Sequence, residues 1–283
     1  MKKFLTTLLC AAAFLGVVSC NRTSEVKVMS YNIRLSSGTE QADSIYHWQH
    51  RKEASLNLMH EERPTVFGLQ EACPDQMDYM VENLPEYGYI GVGRDDGKRK
   101  GEFMSIFYLK DEVELIDGGT FWLSQTPDQV TKGWDAACFR TCTWAILKIK
   151  ETGKKFVYMN THLDHKGKVA REESLKLIVA KAEELTGGKL PVYITADFNS
   201  RTSEPIFKPM QEALLDARVE APDTDTRATF NGWKEGEEDN INKVIDHIFF
   251  RGAEAKSFKV LRDKNYGAPF ISDHYPVVMT ATF

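Results

Sequence analysis

Cysteine, proline and glycine are scarce in this chain, with 5, 10 and 19 of them among 283 residues. So little proline and glycine excludes a collagen-like or low-complexity protein, and the 42% hydrophobic content is too high for a mostly disordered one. Beyond the N-terminus, no apolar run approaches the roughly 20 residues that a membrane-spanning helix needs. The composition therefore predicts a globular protein of one large or two small domains.

The chain also lacks an excess of basic residues, because 36 Lys and Arg are opposed by 41 Asp and Glu, for a formal net charge of −5. Proteins that bind duplexes without sequence preference present a broad positive surface to the phosphates. We therefore expect no such surface here. The charge balance still allows a nuclease that contacts nucleic acid through a metal ion. In that case nucleic acid would be a substrate only.

The first 19 residues have the layout of a secretory signal, in which two lysines precede an uncharged apolar run that ends at Val18. The run is followed by serine and Cys20, which resembles the processing box of bacterial lipoproteins. On this resemblance we expect a signal peptide at 1–19, a lipid on Cys20, and a protein anchored by that lipid in the cell envelope, on the periplasmic or outer-membrane surface side. Ordinary signal cleavage, with Cys20 uninvolved, is the alternative.

Three further cysteines, Cys73, Cys138 and Cys142, form an odd set, so at least one thiol is free or paired between molecules. Two cysteines separated by three residues, with no second pair, match zinc sites poorly. We expect all three to be small buried hydrophobic side chains.

Residues 24–283 are expected to form one domain, because no linker or repeat interrupts them. β-Branched and aromatic runs predict strands at 26–31, 65–69, 104–108, 142–149, 156–160, 192–195, 244–250 and 276–281. Apolar periodicity and terminal signals predict helices at 48–62, 75–84 and 168–185, and glycine and charge predict a long surface loop at 225–243. Interleaved strands and helices predict sheet covered by helices.

Polar side chains follow or begin the predicted strands at six places. The motifs are Met29-Ser-Tyr-Asn32, Leu69-Gln-Glu71, Asn160-Thr-His162, Thr195-Ala-Asp-Phe-Asn199, Ile245-Asp-His-Ile248 and Ser272-Asp-His274. Carboxylate and amide oxygens are the ligands that Mg²⁺ prefers, and histidine exchanges protons near neutral pH. Phosphoryl transfer needs a cation, donors for the phosphate oxygens and a group that orients water. Each motif alone is a weak signal for this chemistry.

In this order the six motifs resemble the endonuclease/exonuclease/phosphatase superfamily of DNase I-like enzymes, from about residue 26 to the C-terminus. The resemblance implies fold class α+β, a four-layered α/β sandwich of two packed mixed β-sheets flanked by helices. It also implies a hydrolase of phosphate esters that uses Mg²⁺, with Mn²⁺ as a substitute. We expect a monomer.

The resemblance gives three residues a place at the metal. Glu71 is implied to be its principal ligand, Asn32 to lie beside it, and Asp273 to support the site from the other side. Arg34 is a departure, since the abasic-endonuclease branch tends to carry an acid two residues after the motif asparagine.

The resemblance also implies the catalytic residues. Asp197 would orient or deprotonate the attacking water, and Asn199 would donate to a phosphate oxygen. His162 and His274 would flank the scissile phosphate, so that water attacks in line without a covalent intermediate.

A carboxylate behind each histidine would raise its pKa and fix its orientation. We expect hydrogen-bonded pairs Asp246–His274 and, as in the DNase I-like branch, Glu102–His162. His247 is expected to point away from Asp246 along the strand.

Three residues are candidates for substrate binding. Arg94, in a charged Gly93–Gly97 turn, has the charge to hold a phosphate, and a solvated hairpin tip is its alternative. Phe230 and Trp233, in the long loop, have rings that could stack on a base or sugar or pack against a lipid tail.

Three functions fit the sequence. The first is a Mg²⁺-dependent phosphodiesterase or phosphatase acting on a small or lipid-linked phosphate ester outside the cytoplasm. The second is an envelope endo- or exonuclease that degrades DNA or RNA. The third, a catalytically silent surface-binding lipoprotein, is disfavoured because every expected polar position is filled.

Overall fold

The computed structural model describes residues 23–38, 41, 43–236 and 239–283. The expected signal segment and Cys20 lie outside these ranges. Within them, no helix combines the length and the apolar character needed to cross a membrane.

Thirteen strands and five α-helices lie in the described residues. The strands are β1 (Glu25–Asn32), β2 (Val66–Gln70), β3 (Tyr87–Ile90), β4 (Ile106–Leu109), β5 (Val113–Trp122), β6 (Thr141–Ile149), β7 (Lys155–His162), β8 (Val192–Asp197), β9 (Leu215–Asp216), β10 (Asp223–Thr224), β11 (Asp246–Arg251), β12 (Glu254–Val260) and β13 (Val277–Thr282). The helices are α1 (Trp48–Glu62), α2 (Pro74–Asn83), α3 (Lys168–Thr186), α4 (Lys208–Ala213) and α5 (Ala217–Glu220). Every predicted strand and helix is present, within two residues at each end.

Three strands of four or more residues, β3, β5 and β12, were not predicted. β3 and β5 form edges of their sheets, and β12 is separated from an edge only by the two-residue β10. Strands in such positions bury fewer side chains on both faces, as in β5, where most residues are exposed or half-buried. Their hydrophobic pattern is therefore too weak to be recognised in a single sequence.

The strands form two mixed sheets. One has the order β10-β12-β13-β1-β2-β4-β3 and the other the order β5-β6-β7-β8-β11-β9. The central pairs β1/β2 and β7/β8 are parallel, whereas β1/β13 and β8/β11 are antiparallel. The two sheets pack face to face with helices outside, which confirms the expected four-layered α+β sandwich.

Three apolar clusters account for the four layers. Side chains of both sheets, such as Val28 and Tyr158, interdigitate in the middle cluster. A second cluster packs α1 and α2, through residues such as Leu58, onto the seven-stranded sheet. The third packs α3 and α4, through residues such as Leu175, onto the six-stranded sheet. Burying these faces excludes water from the strand backbones and fixes where the strands end.

Asn160 links the two sheets directly beneath the polar strand ends. Its buried amide nitrogen donates to the carbonyl oxygens of Leu69 (2.7 Å) and Ser105 (3.0 Å). Its Oδ1 accepts from Gln70 Nε2 (2.6 Å) and Thr195 Oγ1 (3.0 Å). Because all four amide bonding positions are satisfied, this side chain fixes β2, β7 and β8 relative to one another.

Gly68 leaves the space that Asn160 occupies, and a side chain there should destabilise the fold. A Cβ on Gly68 would lie 2.3 Å from Asn160 Oδ1 and 2.8 Å from Thr195 Oγ1. We expect Gly68→Ala to lower the free energy of unfolding by about 1–3 kcal/mol through overpacking, measured by urea denaturation. Gly119→Ala is the control, since its Cβ would meet the half-buried Trp144 side chain at 3.2 Å and the indole has room to shift. Equal losses for the two variants would contradict this explanation.

Candidate active site

The polar motif residues meet at one edge of the sandwich. The parallel register of β7 and β8 sets His162 opposite Asp197, and the antiparallel register of β8 and β11 sets Asp197 opposite Asp246. Asn32 ends β1, and Glu71 directly follows β2 in the other sheet. The predicted strand-end residues are therefore brought together from both sheets.

A cleft of about 390 Å³ opens at this edge. Its lining contains both acidic and basic groups: Arg34, Leu35, Glu71, Arg94, Glu102, Cys138, Arg140, His162, His165, Asp197, Asn199, Phe230, Ile245, Asp273 and His274. The carboxylates and the arginines are drawn from separate segments of the chain, so only the fold brings them together.

Asp197 lies at the centre of the buried polar network. Its Oδ2 accepts a hydrogen bond from Asn32 Nδ2 at 2.9 Å. The same oxygen lies 3.3 Å from His162 Nε2 and 3.6 Å from His274 Nε2. This carboxylate is therefore within reach of both histidines.

Asn199 reaches its neighbours because its backbone is left-handed, with φ of 49°. Its backbone N–H donates to Asp197 Oδ1 at 2.9 Å. Its side-chain Nδ2 donates to the Leu163 carbonyl at 3.0 Å and faces His162 Nε2 at 2.8 Å. The amide predicted to contact a phosphate oxygen thus contacts a histidine in this structure.

His274 forms the expected pair with Asp246. Its Nδ1 lies 2.9 and 3.1 Å from the two carboxylate oxygens of Asp246. Burial lowers the pKa of His274, but the carboxylates of Asp246 and Asp197 outweigh that effect and raise the pKa well above its usual value. Nδ1 donates to Asp246, so the ring is held as an oriented cation.

The predicted Glu102–His162 hydrogen bond is wrong. Glu102 instead accepts from Arg94 NH1 at 2.6 Å. His162 Nε2 faces Asn199, and its buried Nδ1 has no hydrogen-bond partner among the described residues. Burial and the positive charges of Arg140 and Arg94 lower the pKa of His162 well below its usual value. The pKa values of the two histidines therefore shift in opposite directions, because burial and two arginines act on His162, whereas nearby carboxylates outweigh burial at His274.

Glu71 and Asp273 face the same guanidinium group. Glu71 has φ of 65° directly after β2, and its carboxylate accepts from Asn32 Nδ2 and the Leu35 backbone N–H, both at 3.1 Å. Arg34 NH1 lies 3.8 Å from Glu71 Oε2 and 3.7 Å from Asp273 Oδ2. The two carboxylates thus both face the Arg34 guanidinium.

The chemistry of this donor set fits a hard divalent metal. Burial and the charges of Asp246 and Glu71 raise the pKa of Asp197 to about 7, although His274 opposes the rise. Burial and Glu71 also raise the pKa of Asp273. A divalent cation would relieve this crowding of carboxylates, and Mg²⁺ needs only one or two of them. Glu71 and Asp273 are the residues that would hold it.

Asn32 is placed beside these carboxylates as a donor. Its Nδ2 donates to Glu71 and Asp197, and its Oδ1 accepts from the backbone N–H of Arg34 at 3.0 Å. In this geometry Asn32 positions the two carboxylates through its amide nitrogen.

Arg140 and Asp164 belong to the site, and the sequence analysis missed both. Arg140 is 4% exposed and lines the cleft. Its Nε lies 3.3 Å from Asp164 Oδ2, and its NH2 lies 3.1 Å from His165 Nδ1. Its buried NH1 has no hydrogen-bond partner in the part of the chain that the structure describes. Asp164 lies two residues after the motif residue His162, which is a weak sequence signal that it belongs to the site. Arg140 lies in none of the six motifs, so nothing in the sequence pointed to it.

Asp164 also joins two loops, which predicts a pH-dependent loss of stability. It accepts from the backbone N–H groups of Gly167 (2.8 Å), Lys166 (2.9 Å) and Ala137 (3.1 Å). Burial alone would raise the pKa of Asp164, but these donors and Arg140 hold it well below its usual value. The stabilisation is therefore full above the unfolded pKa of about 4 and is lost as pH falls through the lower folded value.

We expect Asp164→Asn to lower the free energy of unfolding by about 1–3 kcal/mol at pH 7. The difference from the wild type should narrow in thermal unfolding below about pH 4, where the unfolded carboxyl is protonated. A difference that stays constant from pH 7 to pH 3 would contradict the assigned cause.

Of the three substrate-binding candidates, two line the cleft and one does not. Arg94 and Phe230 line the cleft, and the Phe230 ring lies 4.9 Å from that of His274. Trp233 is not among the lining residues, and its ring instead stacks on Tyr46 at 4.7 Å.

The three cysteines also differ in how exposed they are. Cys73 and Cys142 are buried free thiols, as expected. Cys138 is half-buried and lines the cleft, which corrects the prediction that all three are buried.

Comparison with known proteins gives the family. The sequence profile of the Endonuclease/Exonuclease/phosphatase family matches residues 29–274, most of the chain. The chain belongs to this family. The family comprises endonucleases, exonucleases and phosphatases, and its members generally use divalent metals.

Two solved structures from Bacteroides thetaiotaomicron are similar over nearly their whole length. A protein described as an endonuclease/exonuclease/phosphatase family member has 36% identity and a TM-score of 0.85, covering 93% of this chain and 99% of the other. A mannosyl-6-phosphatase has 37% identity and a TM-score of 0.84, covering 91% of this chain and 100% of the other. The human nocturnin catalytic domain, solved with bound sulfate, has 18% identity and a TM-score of 0.70, covering 91% and 93%, and shows the shared fold alone.

Proposed function

We propose that this family member is a Mg²⁺-dependent phosphatase of small phosphate esters. The observation that carries the proposal is the cleft of about 390 Å³, which is lined by both carboxylates and arginines. A volume of this order suits one small ligand, since small-molecule sites commonly span about 300–1,000 Å³. A nuclease would favour a long basic groove along the nucleic acid backbone.

Two arginines of the cleft, Arg140 and Arg94, suit a phosphate. The NH1 of buried Arg140, which has no hydrogen-bond partner among the described residues, would donate to a phosphate oxygen, and Asp164 holds the guanidinium in place. Arg94, fixed by Glu102, adds a second positive charge. Buried and oriented donors of this kind bind a doubly charged phosphomonoester without the cost of reordering.

The remaining groups suit attack by water. Asp197 would orient the water and accept its proton as the water oxygen bonds to phosphorus and the P–O ester bond breaks, and the leaving oxygen would take up a proton from solvent water. His274, oriented by Asp246, presents Nε2–H to the charge that develops on the phosphate. Glu71 and Asp273 would hold Mg²⁺, which supplies charge neutralisation of the phosphate when bound.

A sugar phosphate is the substrate class we propose first. The support is the 37% identity, over 91% of this chain, to a protein described as a mannosyl-6-phosphatase. Phe230 provides an aromatic ring beside His274, where a sugar face can pack.

A hydrolysis panel tests this proposal. The substrates are mannose 6-phosphate, glucose 6-phosphate, p-nitrophenyl phosphate, bis-p-nitrophenyl phosphate, single-stranded DNA and RNA, each with Mg²⁺, with Mn²⁺ and with EDTA. We expect turnover of the monoesters with either metal, a sugar phosphate as the best substrate, and loss of activity in EDTA. Faster hydrolysis of DNA or RNA would establish the nuclease alternative, and no hydrolysis of any substrate would favour a binding protein.

We further propose that the chain is a lipoprotein of the cell envelope, because the apolar run before Cys20 resembles a lipoprotein signal. Metabolic labelling with palmitate in a bacterial host should label the wild type and leave Cys20→Ala unlabelled. Equal labelling, or labelling of neither protein, would contradict the anchor.

A further inference from the structure

Arg51 of α1 is one of the largest fully buried side chains in the described residues, with 1% of its surface exposed. Its guanidinium donates to four backbone carbonyls. Nε donates to Tyr46 (2.6 Å), NH1 to Ile33 and Ile271 (both 2.8 Å), and NH2 to Arg34 (3.2 Å). One buried side chain thus holds three separate backbone segments.

Two of those segments adjoin residues of the proposed metal site. Ile33 and Arg34 directly follow Asn32, whose side chain donates to Glu71. Ile271 precedes Asp273 by two residues. Because Arg51 NH1 bonds to both Ile33 and Ile271, it sets the position of one segment relative to the other.

Further contacts make these segments one unit. Ser272 Oγ donates to the Asn32 carbonyl at 2.6 Å. The backbone N–H groups of Asn231 and Gly232 donate to the Asp273 carbonyl at 2.8 and 3.0 Å. The following residue, Trp233, returns to cover Arg51.

Aromatic rings enclose the guanidinium. Its central carbon lies 5.6 Å from the Trp48 ring centroid and 5.3 Å from that of Trp233. Trp233 is itself stacked on Tyr46 and packs edge-on against Phe270 at 6.3 Å. Cation–π attraction offsets part of the cost of burying the charge, and the rings limit how far it can move.

We propose that Arg51 is a positioning residue for the metal site, with Trp233 as its support. By fixing the Asn32–Arg34 turn against the Ile271–Asp273 segment, Arg51 sets the separation of the Glu71 and Asp273 carboxylates. Trp233 acts through Arg51 and not through contact with the substrate. This inference rests on the proposed metal-dependent function.

The test compares Arg51→Met, Arg51→Lys and Trp233→Leu with the wild type. Mg²⁺ binding is measured by isothermal titration calorimetry without substrate, and kcat and KM for the best phosphate ester are measured across Mg²⁺ concentrations. The control is Arg218→Met, because Arg218 is also a buried arginine that donates to backbone carbonyls, those of Thr226 and Arg227, which adjoin no candidate metal ligand. Thermal unfolding reports the stability of each variant.

We expect Arg51→Met to weaken Mg²⁺ binding about 10- to 100-fold, as loss of groups that orient metal ligands commonly does. Arg51→Lys and Trp233→Leu should weaken it less, and saturating Mg²⁺ should restore kcat while KM for the ester stays within twofold of the wild type. Arg218→Met should bind Mg²⁺ normally even if it is less stable. If Arg51→Met does not fold, Arg51→Lys and Trp233→Leu carry the same comparison.

Two results would overturn the inference while leaving the proposed function intact. One is Mg²⁺ affinity within twofold of the wild type in the Arg51 and Trp233 variants, and the other is an equal loss in Arg218→Met. A raised KM with normal Mg²⁺ affinity in Trp233→Leu would instead place that ring at the substrate. A wild type that binds no Mg²⁺ would refute the metal-dependent function, and this inference with it.

Discussion

Replacing Asp197 by Asn is expected to lower kcat about 10²- to 10⁴-fold, the range for loss of a general base. The substitution preserves size, so the bond from Asn32 and the register of β8 can be kept. It removes the carboxylate that lies 3.3 Å from His162 and 3.6 Å from His274. The water would then lose the group that orients it and takes its proton.

The measurement is steady-state hydrolysis of the best monoester at saturating Mg²⁺. Asp225→Asn is the matched control, because Asp225 is also a shielded carboxylate but pairs with Arg227 away from the cleft. Its kcat should stay within about threefold of the wild type, as expected of a substitution that touches no reacting group. A kcat for Asp197→Asn within tenfold of the wild type would exclude Asp197 as the base.

Asp246→Asn is expected to lower kcat about 10²- to 10³-fold, the loss that follows removal of one preorganised donor in an active site. The carboxylate holds His274 Nδ1 at 2.9 Å and favours the charged ring. The asparagine amide fills the same space, but it has no negative charge to stabilise the positive charge on the His274 ring. His274 would then present a weaker and less well oriented Nε2–H to the phosphate.

The chain offers a matched control on the other face of the same strand. His247 follows Asp246 on β11, and its Nδ1 lies 3.3 Å from Asp216 Oδ2, with the ring packed beside Phe198. Asp216→Asn therefore disrupts a second buried carboxylate–histidine contact outside the cleft, and we expect it to reduce stability with little effect on kcat. Equal losses of kcat in Asp216→Asn and Asp246→Asn would show that the effect is structural.

The central strands and the motif residues could be predicted from the sequence because both signals are local. Strands β1, β2, β7 and β8 are largely buried runs of β-branched, aromatic and other apolar residues, and the polar residues at their ends are adjacent to them in the chain. Parallel strands place their carboxyl ends at the same edge of their own sheet, so Asn32 could be expected near Glu71 and His162 near Asp197. The packing of the two sheets then brings both pairs to one cleft. The Asp246–His274 pair was also predicted, from the family resemblance.

The partners of the site residues could not be predicted in the same way. Glu102 was expected on His162, yet Arg94 lies eight positions earlier on the same turn and takes the carboxylate. A guanidinium that forms a charge-assisted bond outcompetes a histidine whose charged form is disfavoured by burial. The cation that a carboxylate binds is decided by differences of a few ångströms in distance, and a sequence motif gives no distances.

The sequence by itself determined the family, the central strands and the set of acids and histidines at the cleft. Only the tertiary structure decided that the pKa values of His162 and His274 shift in opposite directions, that Arg140 NH1 is buried without a partner among the described residues, and that Trp233 covers Arg51. The physical reason is that these interactions join residues far apart in the sequence. Arg51 and its acceptor Ile271 are 220 positions apart, and hydrogen bonding and burial depend on the surroundings that the folded chain creates.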